Sequence, residues 1–498
     1  MTGAESGAGA EWLRLSPRSL VVRPLTDLVR LVPLLAGLLI LHSDRGSDVI
    51  WGVLAAMAAV VTGLVHWSTT RYRITDERVY VRRGLLNKKV LSVARDRIRT
   101  VDVTANLLHR VLGVCRVSIG TGRNDWRPGQ SLHLDGLART DAESLRLVLL
   151  AAASPADQEI VRLRLAWLRF APLTMTGLVV LGVLFGSVIQ ITNATDINLA
   201  KTGPVKHFIR DFAAYSIVHR IGVGVPFAMA GYVLIALIGY VAVYWNFRLT
   251  EYGAGTVRVT RGLLSLRATT ISLSRLRGVE ISEPLLLRAA GGAKCSAITT
   301  GLRVGEGAEH EGSVLLPPAP RQVAHLVAGE LLGVPSGLVA GPLRRHGRAA
   351  LRRRYSRALT AACLLIAGIG AATWARQGPA WVWESSFALV PLAVVVATDR
   401  YRNLGHLLSD GWLVTRAGSF ARRRSIIGTD AIIGWRIRQT WFQRRSGLMT
   451  VTATTAAGQQ HYSLRDVPVE VGLAVAAGAT ADLVRPFQLD VEARARTA

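Results

Sequence analysis

Acidic residues are in short supply in this chain: 33 Asp and Glu face 60 Lys and Arg over 498 residues, a formal net charge of +27. Cysteine is rarer still. Cys115, Cys295 and Cys363 have neither the spacing of a disulfide framework nor that of a zinc site, so they predict three small buried thiols. No basic-aromatic recognition motif accompanies the pI near 11.3, which predicts no nucleic-acid partner. Catalytic signatures are missing as well. Gly120 and Gly122 in "IGTGRND" open no helix and are followed by no Lys-Ser/Thr, so they make no phosphate or dinucleotide loop. His310 sits in a polar glycine-rich stretch between Glu309 and Glu311 without metal-ligand spacing. Asp125, Asp135 and Asp141 lie in loops with no paired carboxylate. No enzymatic activity, cofactor or metal is expected.

What the chain has in quantity is apolar sequence: half of it is hydrophobic, with a mean hydropathy of +0.31. A soluble basic protein is rarely this apolar and a plain membrane bundle rarely this charged, so the two properties must be segregated. Runs 49–67, 171–191, 221–245, 358–375 and 380–398 are long enough to cross a bilayer. Run 31–42 is shorter and contains Pro33, but it pairs with 49–67 around the "SDRGSD" turn. The reading is six spans in three hairpins. A basic segment follows each hairpin: residues 68–164, 246–357 and 399–498 hold 18, 17 and 14 of the Lys and Arg. The positive-inside rule puts these segments and both termini in the cytoplasm. Trp67, Trp167 and Trp245 are expected at the inner interface, and Trp51, Trp374 and Trp381 at the outer one. Ionisable groups reach only the span ends, at His66, Arg169 and Asp399, so the hairpins read as anchors. Residues 1–27 are polar and mixed, with no cleavage pattern of a signal peptide.

The segments after the hairpins repeat one another. Each opens on a strand: "RYRITDERVYVRRGLL" (71–86), "NFRLTEYGAGTVRVTRGLL" (246–264) and "RYRNLGHLLSDGWLVTRAG" (400–418). Each then reaches a glycine turn, at Gly84, Gly262 and Gly418, where glycine permits positive φ. "RIRTVDVTANLLHRVLGVCRVSIGTG" (97–122) matches "RLRGVEISEPLLLRAAGGAKCSAITTG" (275–301) and, more distantly, "IIGWRIRQTWFQRRSGLMTVTATTAAG" (432–458). Gly84 and Gly262 are expected in equivalent turns, with Arg95-Asp96 a two-residue insertion in repeat one. Helical stretches close the repeats at 139–153, 319–333 and 467–484, the first with a capping box at Thr140 and Glu143. Short strands at even spacing followed by a helix predict a small antiparallel barrel or sandwich in each repeat.

A pair of apolar helices followed by a "Y-x-[IL]-T … GLL … R-[IL]-x-x-V … L-x-R … G" segment resembles the bacterial pleckstrin-homology-like (PH-like), membrane-flanked domain family, here in three tandem copies. Repeat three departs from it in lacking Leu-Leu after the turn glycine and in carrying Trp435 and Trp441. The resemblance implies a bent, roughly seven-stranded barrel with a C-terminal helix, association with the membrane and pairing with a shorter homologous membrane protein, and no catalytic residues. The resulting fold class is an α+β polytopic membrane protein. It divides into an N-terminal segment (1–27), hairpin one (28–67), PH-like domain one (68–155), hairpin two with an external loop (165–245), PH-like domain two (246–335), a basic juxtamembrane segment (340–357), hairpin three (358–398), PH-like domain three (399–487) and a tail (488–498).

Basic residues are the candidate functional ones. Arg71, Arg73, Arg82, Arg83, Lys88 and Lys89 crowd the first strands of repeat one, and Arg261 and Arg267 those of repeat two. The densest cluster is "PLRRHGRAALRRRYSR", with Arg344, Arg345, Arg348, Arg352, Arg353, Arg354 and Arg357 just before the fifth span. Clusters of four to eight basic residues immediately cytoplasmic of a helix read as anionic-lipid contacts, each worth about 1 kcal/mol near the surface. The same cluster also serves as an orientation flank. The function that follows is a non-enzymatic scaffold or adaptor of the bacterial cytoplasmic membrane, in envelope maintenance or stress resistance. Its rival is a transporter or lipid-handling protein using the six-helix bundle.

Overall fold

Alternating apolar residues put each post-hairpin segment into strands, and those strands join in a way the sequence does not announce. The computed structural model describes residues 12–20, 67–75, 77–84, 89–94, 98, 100–120, 132–138, 140–142, 144–145, 158–174, 182, 186, 216–252, 255–300 and 313–483, with Met57, Val61, Leu64 and Val65. Residues 1–273 form one compact unit and 274–498 another.

In the first unit β1 (Leu13–Arg14), β2 (Arg71–Ile74), β3 (Arg78–Arg83) and β4 (Lys89–Ala94) make an antiparallel sheet in that order. β5 (Thr100–Asn106), the one-turn helix α1 (Leu107–Val111), β6 (Val114–Gly120) and β7 (Leu132–Ala138) follow. Tyr72, Val79 and Val81 close one core with Val101, Val117, Ile119, Leu134 and Leu137, and with Ala142 and Leu145 beyond β7. Full burial of each Val, Leu or Ile among them stabilises by about 1.5–3 kcal/mol. β8 (Gln158–Arg162) precedes a 3-10 helix (Leu165–Leu173) and the long helix α2 (Ile217–Tyr244), after which come β9 (Arg248–Tyr252), β10 (Thr256–Arg261) and β11 (Ser265–Ser272). These last strands extend the sheet of repeat one to seven, in the order β7-β6-β5-β11-β10-β9-β8. β11 runs antiparallel to β5, with Thr269 opposite Asp102.

The second unit repeats the arrangement. β12 (Leu276–Pro284), α3 (Leu285–Ala289), β13 (Gly292–Thr299) and β14 (Val314–Pro320) lead into α4 (Arg321–Leu332). Ala324, Val327, Ala328 and Leu331 are buried along α4, the three- and four-residue steps of one helix face. Short α5 (Ser336–Ala340), long α6 (Gly347–Ala375), α7 (Ala380–Ser386) and α8 (Leu389–Arg402) come next. Then β15 (Gly405–Ser409), β16 (Trp412–Ala417) and β17 (Ala421–Gly428) join β12, giving a sheet ordered β14-β13-β12-β17-β16-β15. β18 (Ile432–Arg438), α9 (Trp441–Arg445), β19 (Leu448–Thr455), β20 (His461–Pro468) and α10 (Val469–Ala479) complete repeat three. Its core joins Leu413, Ile432, Met449, Val451, Leu464 and Val467 to Val475 and Ala476 of α10.

The β5–β11 joint and the β12–β17 joint are therefore the same junction used twice, each fusing the second sheet of one repeat to the first sheet of the next. Independent barrels would leave an open edge ladder at β5 and β12, and edges of that kind are costly to expose. The upstream chain also belongs to each repeat: β1 pairs with β2, β8 with β9, and Arg344 with His406 in β15.

Gly84, Gly262 and Gly418 occupy equivalent hairpin turns at φ of 103°, 114° and 111°. A Cβ on Gly262 or Gly418 would run into the carbonyl oxygen of Ser265 or Ala421. Arg95-Asp96, the expected insertion, lies outside the described residues, and the spacing across it leaves no room for a net insertion. Leu107, Leu285 and Trp441 open the one-turn helices at the same interval after the three turn glycines. Those helices replace the turns expected there.

Three helices among the described residues are long and apolar enough to cross a membrane: Gly222–Tyr244, Gly347–Ala375 and Ala380–Arg402. Run 31–42 and most of 49–67 and 171–191 lie outside the described residues, so three of the six expected spans are seen. The second of the three seen has a mean hydropathy of 1.8 with 11% of its window buried, a surface that suits lipid rather than water. α6 begins well before the expected 358, so the arginines of 348–357 ride on the spanning helix itself. Trp374 and Trp381 are exposed, whereas Trp167, expected at the inner interface, is buried in the 3-10 helix. Cys115 and Cys295 are buried, whereas Cys363 lies on the outside of α6.

Candidate anion-binding site

The arginine run before the fifth span divides once it is folded. Arg344 pairs through its backbone with His406, while Arg345, Arg348 and Arg352 point into the exterior. Arg353, Arg354 and Arg357 turn the other way and line a cavity of about 410 Å³ between the spanning helices and the sheet of repeat three. Arg400 from the last turn of α8, Arg438 from β18 and Arg465 from β20 complete the cationic lining.

One carboxylate faces these six arginines. Asp466 is 3% exposed. Its Oδ1 accepts from Arg353 Nε at 2.9 Å and from Gln443 Nε2 at 2.8 Å, and its Oδ2 lies 2.8 Å from an Arg354 terminal nitrogen. Gln443 is fixed in turn by a capping box with Thr440 at the start of α9 and by donating to Thr450 Oγ1 at 2.8 Å. Asp466 is thus saturated by the two arginines of the floor. Arg357, Arg400, Arg438 and Arg465 ring the exposed mouth, and none has a carboxylate partner among the described residues. Neighbouring Asp399 does not serve them, since it accepts from Arg288 at 2.8 Å and from Ser419 Oγ at 2.7 Å. On the floor, Arg354 is nine-tenths buried and its Nε has no acceptor among the described residues.

Behind the cavity lies a buried histidine pair. His346 Nδ1 is 2.9 Å from the Arg465 carbonyl oxygen, so it donates there, and its Nε2 then accepts from His406 Nδ1 at 3.0 Å. Burial first, and then the neighbouring His346 and Arg344, push His406 down to about 4. Both rings are held neutral, and the pair fixes the strand that carries Arg465 and Asp466.

The other expected contacts are dispersed. Arg71 is exposed and Arg73 and Arg82 are half-buried, with Arg71 opposite Arg82 across β2 and β3. Arg83 and Lys89 pair across β3 and β4, though nothing of their side chains is described, and Lys88 lies outside the described residues. Arg261 is buried with its guanidinium 5.5 Å from the centroid of the Tyr244 ring, which makes it a packing partner of the end of α2. Arg267 is half-buried at the β5–β11 joint, opposite Thr104. Sequence reasoning missed Arg400, Arg438, Arg465 and Asp466 as members of one site. The signal that could have hinted at them is Asp466, an isolated acid in a strand otherwise lacking one.

Three PH-like repeats, sheet-joined and set beside long apolar helices, define a membrane-associated protein of tandem pleckstrin-homology architecture. The family described as Bacterial PH domain matches residues 27–153, 203–330 and 357–479, and the chain belongs to it. The UPF0699 transmembrane protein YdbT of Bacillus subtilis (strain 168) is 20% identical over 438 residues, 82% of this chain and 85% of its own. No solved structure matches the chain.

Proposed function

We propose that this protein is a non-enzymatic, multi-pass scaffold of the bacterial cytoplasmic membrane, with both termini and all three repeats on the cytoplasmic side. In this reading each repeat stands at the membrane surface, and repeat three holds the anionic headgroup of a lipid beside its own helices. The observation that carries it is the cavity at the foot of α6 and α8, where four arginines have no carboxylate partner among the described residues. Guanidinium forks match phosphate oxygens bidentately, and cytoplasmic leaflets supply such groups. A shorter homologous membrane protein is the protein partner this reading expects, and envelope maintenance or stress resistance is the process; both rest on the family resemblance.

The test is purification of the full chain from native membranes with its lipids and partners, followed by mass spectrometry. Anionic phospholipid should be retained above its membrane abundance, and it should be lost when Arg353, Arg354 and Arg357 are changed together to Gln. Retention of a small polar solute with no lipid enrichment would replace the scaffold with a transporter.

A further inference from the structure

The charge in the cavity of repeat three exceeds what an ordinary bilayer lipid neutralises. We propose that this site selects a phosphate group with two or more negative charges, a phosphomonoester or a diphosphate, over the singly charged phosphodiester of common phospholipids. The proposal rests on the headgroup reading above and narrows it.

Two of the six arginines are committed to Asp466, with Arg353 and Arg354 each 10% exposed. The other four bring four positive charges to the mouth of one cavity of about 410 Å³. A monoanionic diester would leave three of those charges facing one another. Like charges gathered at one cavity mouth repel one another, and a single negative charge leaves most of that repulsion in place. A phosphomonoester carries close to two charges at neutral pH and three terminal acceptor oxygens, and a diphosphate carries more of both. The donors match this demand. Arg357, Arg400, Arg438 and Arg465 approach from α6, α8, β18 and β20, so an anion between them is approached from several sides rather than from one surface. Arg354 Nε adds an unmatched donor from the floor. The volume lies within the usual range of small-ligand sites, which leaves room for a second phosphate or for a glycerol next to the first.

The positive-φ carboxylate is a second sign that the site was built. Asp466 has φ of 56° at the place where repeat one has Gly136 at 90°, each two residues before the end of its strand. A non-glycine residue held in that conformation costs free energy and tends to occur where the surrounding structure uses it. Here its carboxylate holds the two floor arginines in place.

The experiment uses the purified full-length protein in a neutral detergent, with bound ligands counted by native mass spectrometry. Short-chain phosphatidic acid serves as the monoester, phosphatidylglycerol as the diester, and inorganic phosphate and pyrophosphate as soluble competitors. Phosphatidic acid should bind at least about tenfold more tightly than phosphatidylglycerol, roughly 1.4 kcal/mol. That preference should vanish in Arg400→Gln/Arg438→Gln/Arg465→Gln and persist in Arg345→Gln/Arg348→Gln, which lies outside the cavity. Competition by pyrophosphate at equal or lower concentration would support the same chemistry and place its source in solution rather than in the bilayer. Equal affinity for the two lipids, still lost in the triple variant, would overturn the charge selectivity and leave the headgroup reading standing. Lipid binding indifferent to all five arginines would overturn both.

Discussion

Asp466 and His406 govern repeat three through opposite means, one by being charged and the other by staying neutral. Asp466→Asn keeps the shape and the acceptor for Gln443 but strips the counterion from two arginines that are each 10% exposed. Breaking a buried pair by removing one partner costs about 3–5 kcal/mol, so thermal unfolding should show a large loss in repeat three. A loss below about 1 kcal/mol would mean that water already screens the pair. His406 gives a pH dependence. Its folded value near 4 lies below the ordinary 6.5, so between those values the unfolded chain binds a proton that the folded chain refuses. Stability is full above about pH 6.5 and falls as the pH drops towards 4, with a limiting slope of about 1.4 kcal/mol per pH unit. His406→Gln should flatten that slope in urea titrations at pH 5 and 7. An unchanged slope would assign the acid sensitivity elsewhere.

The joints between repeats decide the behaviour of the elements. At the β12–β17 joint Glu283, 4% exposed, binds Arg422 from the facing strand and Arg321 at 2.6 Å from α4, and Glu280 accepts from Ser425 at 3.3 Å. At the β5–β11 joint Asp102 holds the place of Glu280, opposite Thr269 where the other joint has Ser425. Arg110 of α1 reinforces that joint by donating to the Leu263 carbonyl at 2.7 Å. Glu283→Gln should accelerate amide hydrogen exchange along β17 while leaving β19 and β20 protected, because the loss is confined to one ladder. Uniform acceleration across repeat three would show instead that the joint and the core unfold together.

Strands, turn glycines and the closing helices were legible because each has a local period or a local backbone demand. The joints were not, since β5 and β11 lie far apart in sequence and a single Asp or Glu in a strand carries no pattern. The two- to five-residue strands ahead of the hairpins are too short to show a period. The basic run 344–357 stood out as a cluster of charge, but its division between the exterior and a cavity depends on where α6 begins and on a carboxylate more than a hundred residues away.

For the whole molecule, the repeats form a series with two different ends. β18 is the outer strand of its sheet, equivalent to the joint-forming β5 and β12. Counted from the bulge glycines Gly278 and Gly434, Arg436 stands where Glu280 stands in repeat two. An arginine on an edge strand discourages further pairing, and it also opposes a β11-like strand that brings its own arginine. Arg436→Glu should therefore raise the fraction of dimers and larger species in light scattering of the detergent-solubilised protein; no change would mean that the edge is blocked by other means.

Under the proposed function, one chain keeps all three repeats on the cytoplasmic face of a membrane it crosses several times. Topology reporters fused after residues 25, 110, 205, 300 and 450 test it most directly. The account predicts in, in, out, in and in. An external signal at 110, 300 or 450 would put a repeat on the wrong side, away from the cytoplasmic leaflet, and would contradict it.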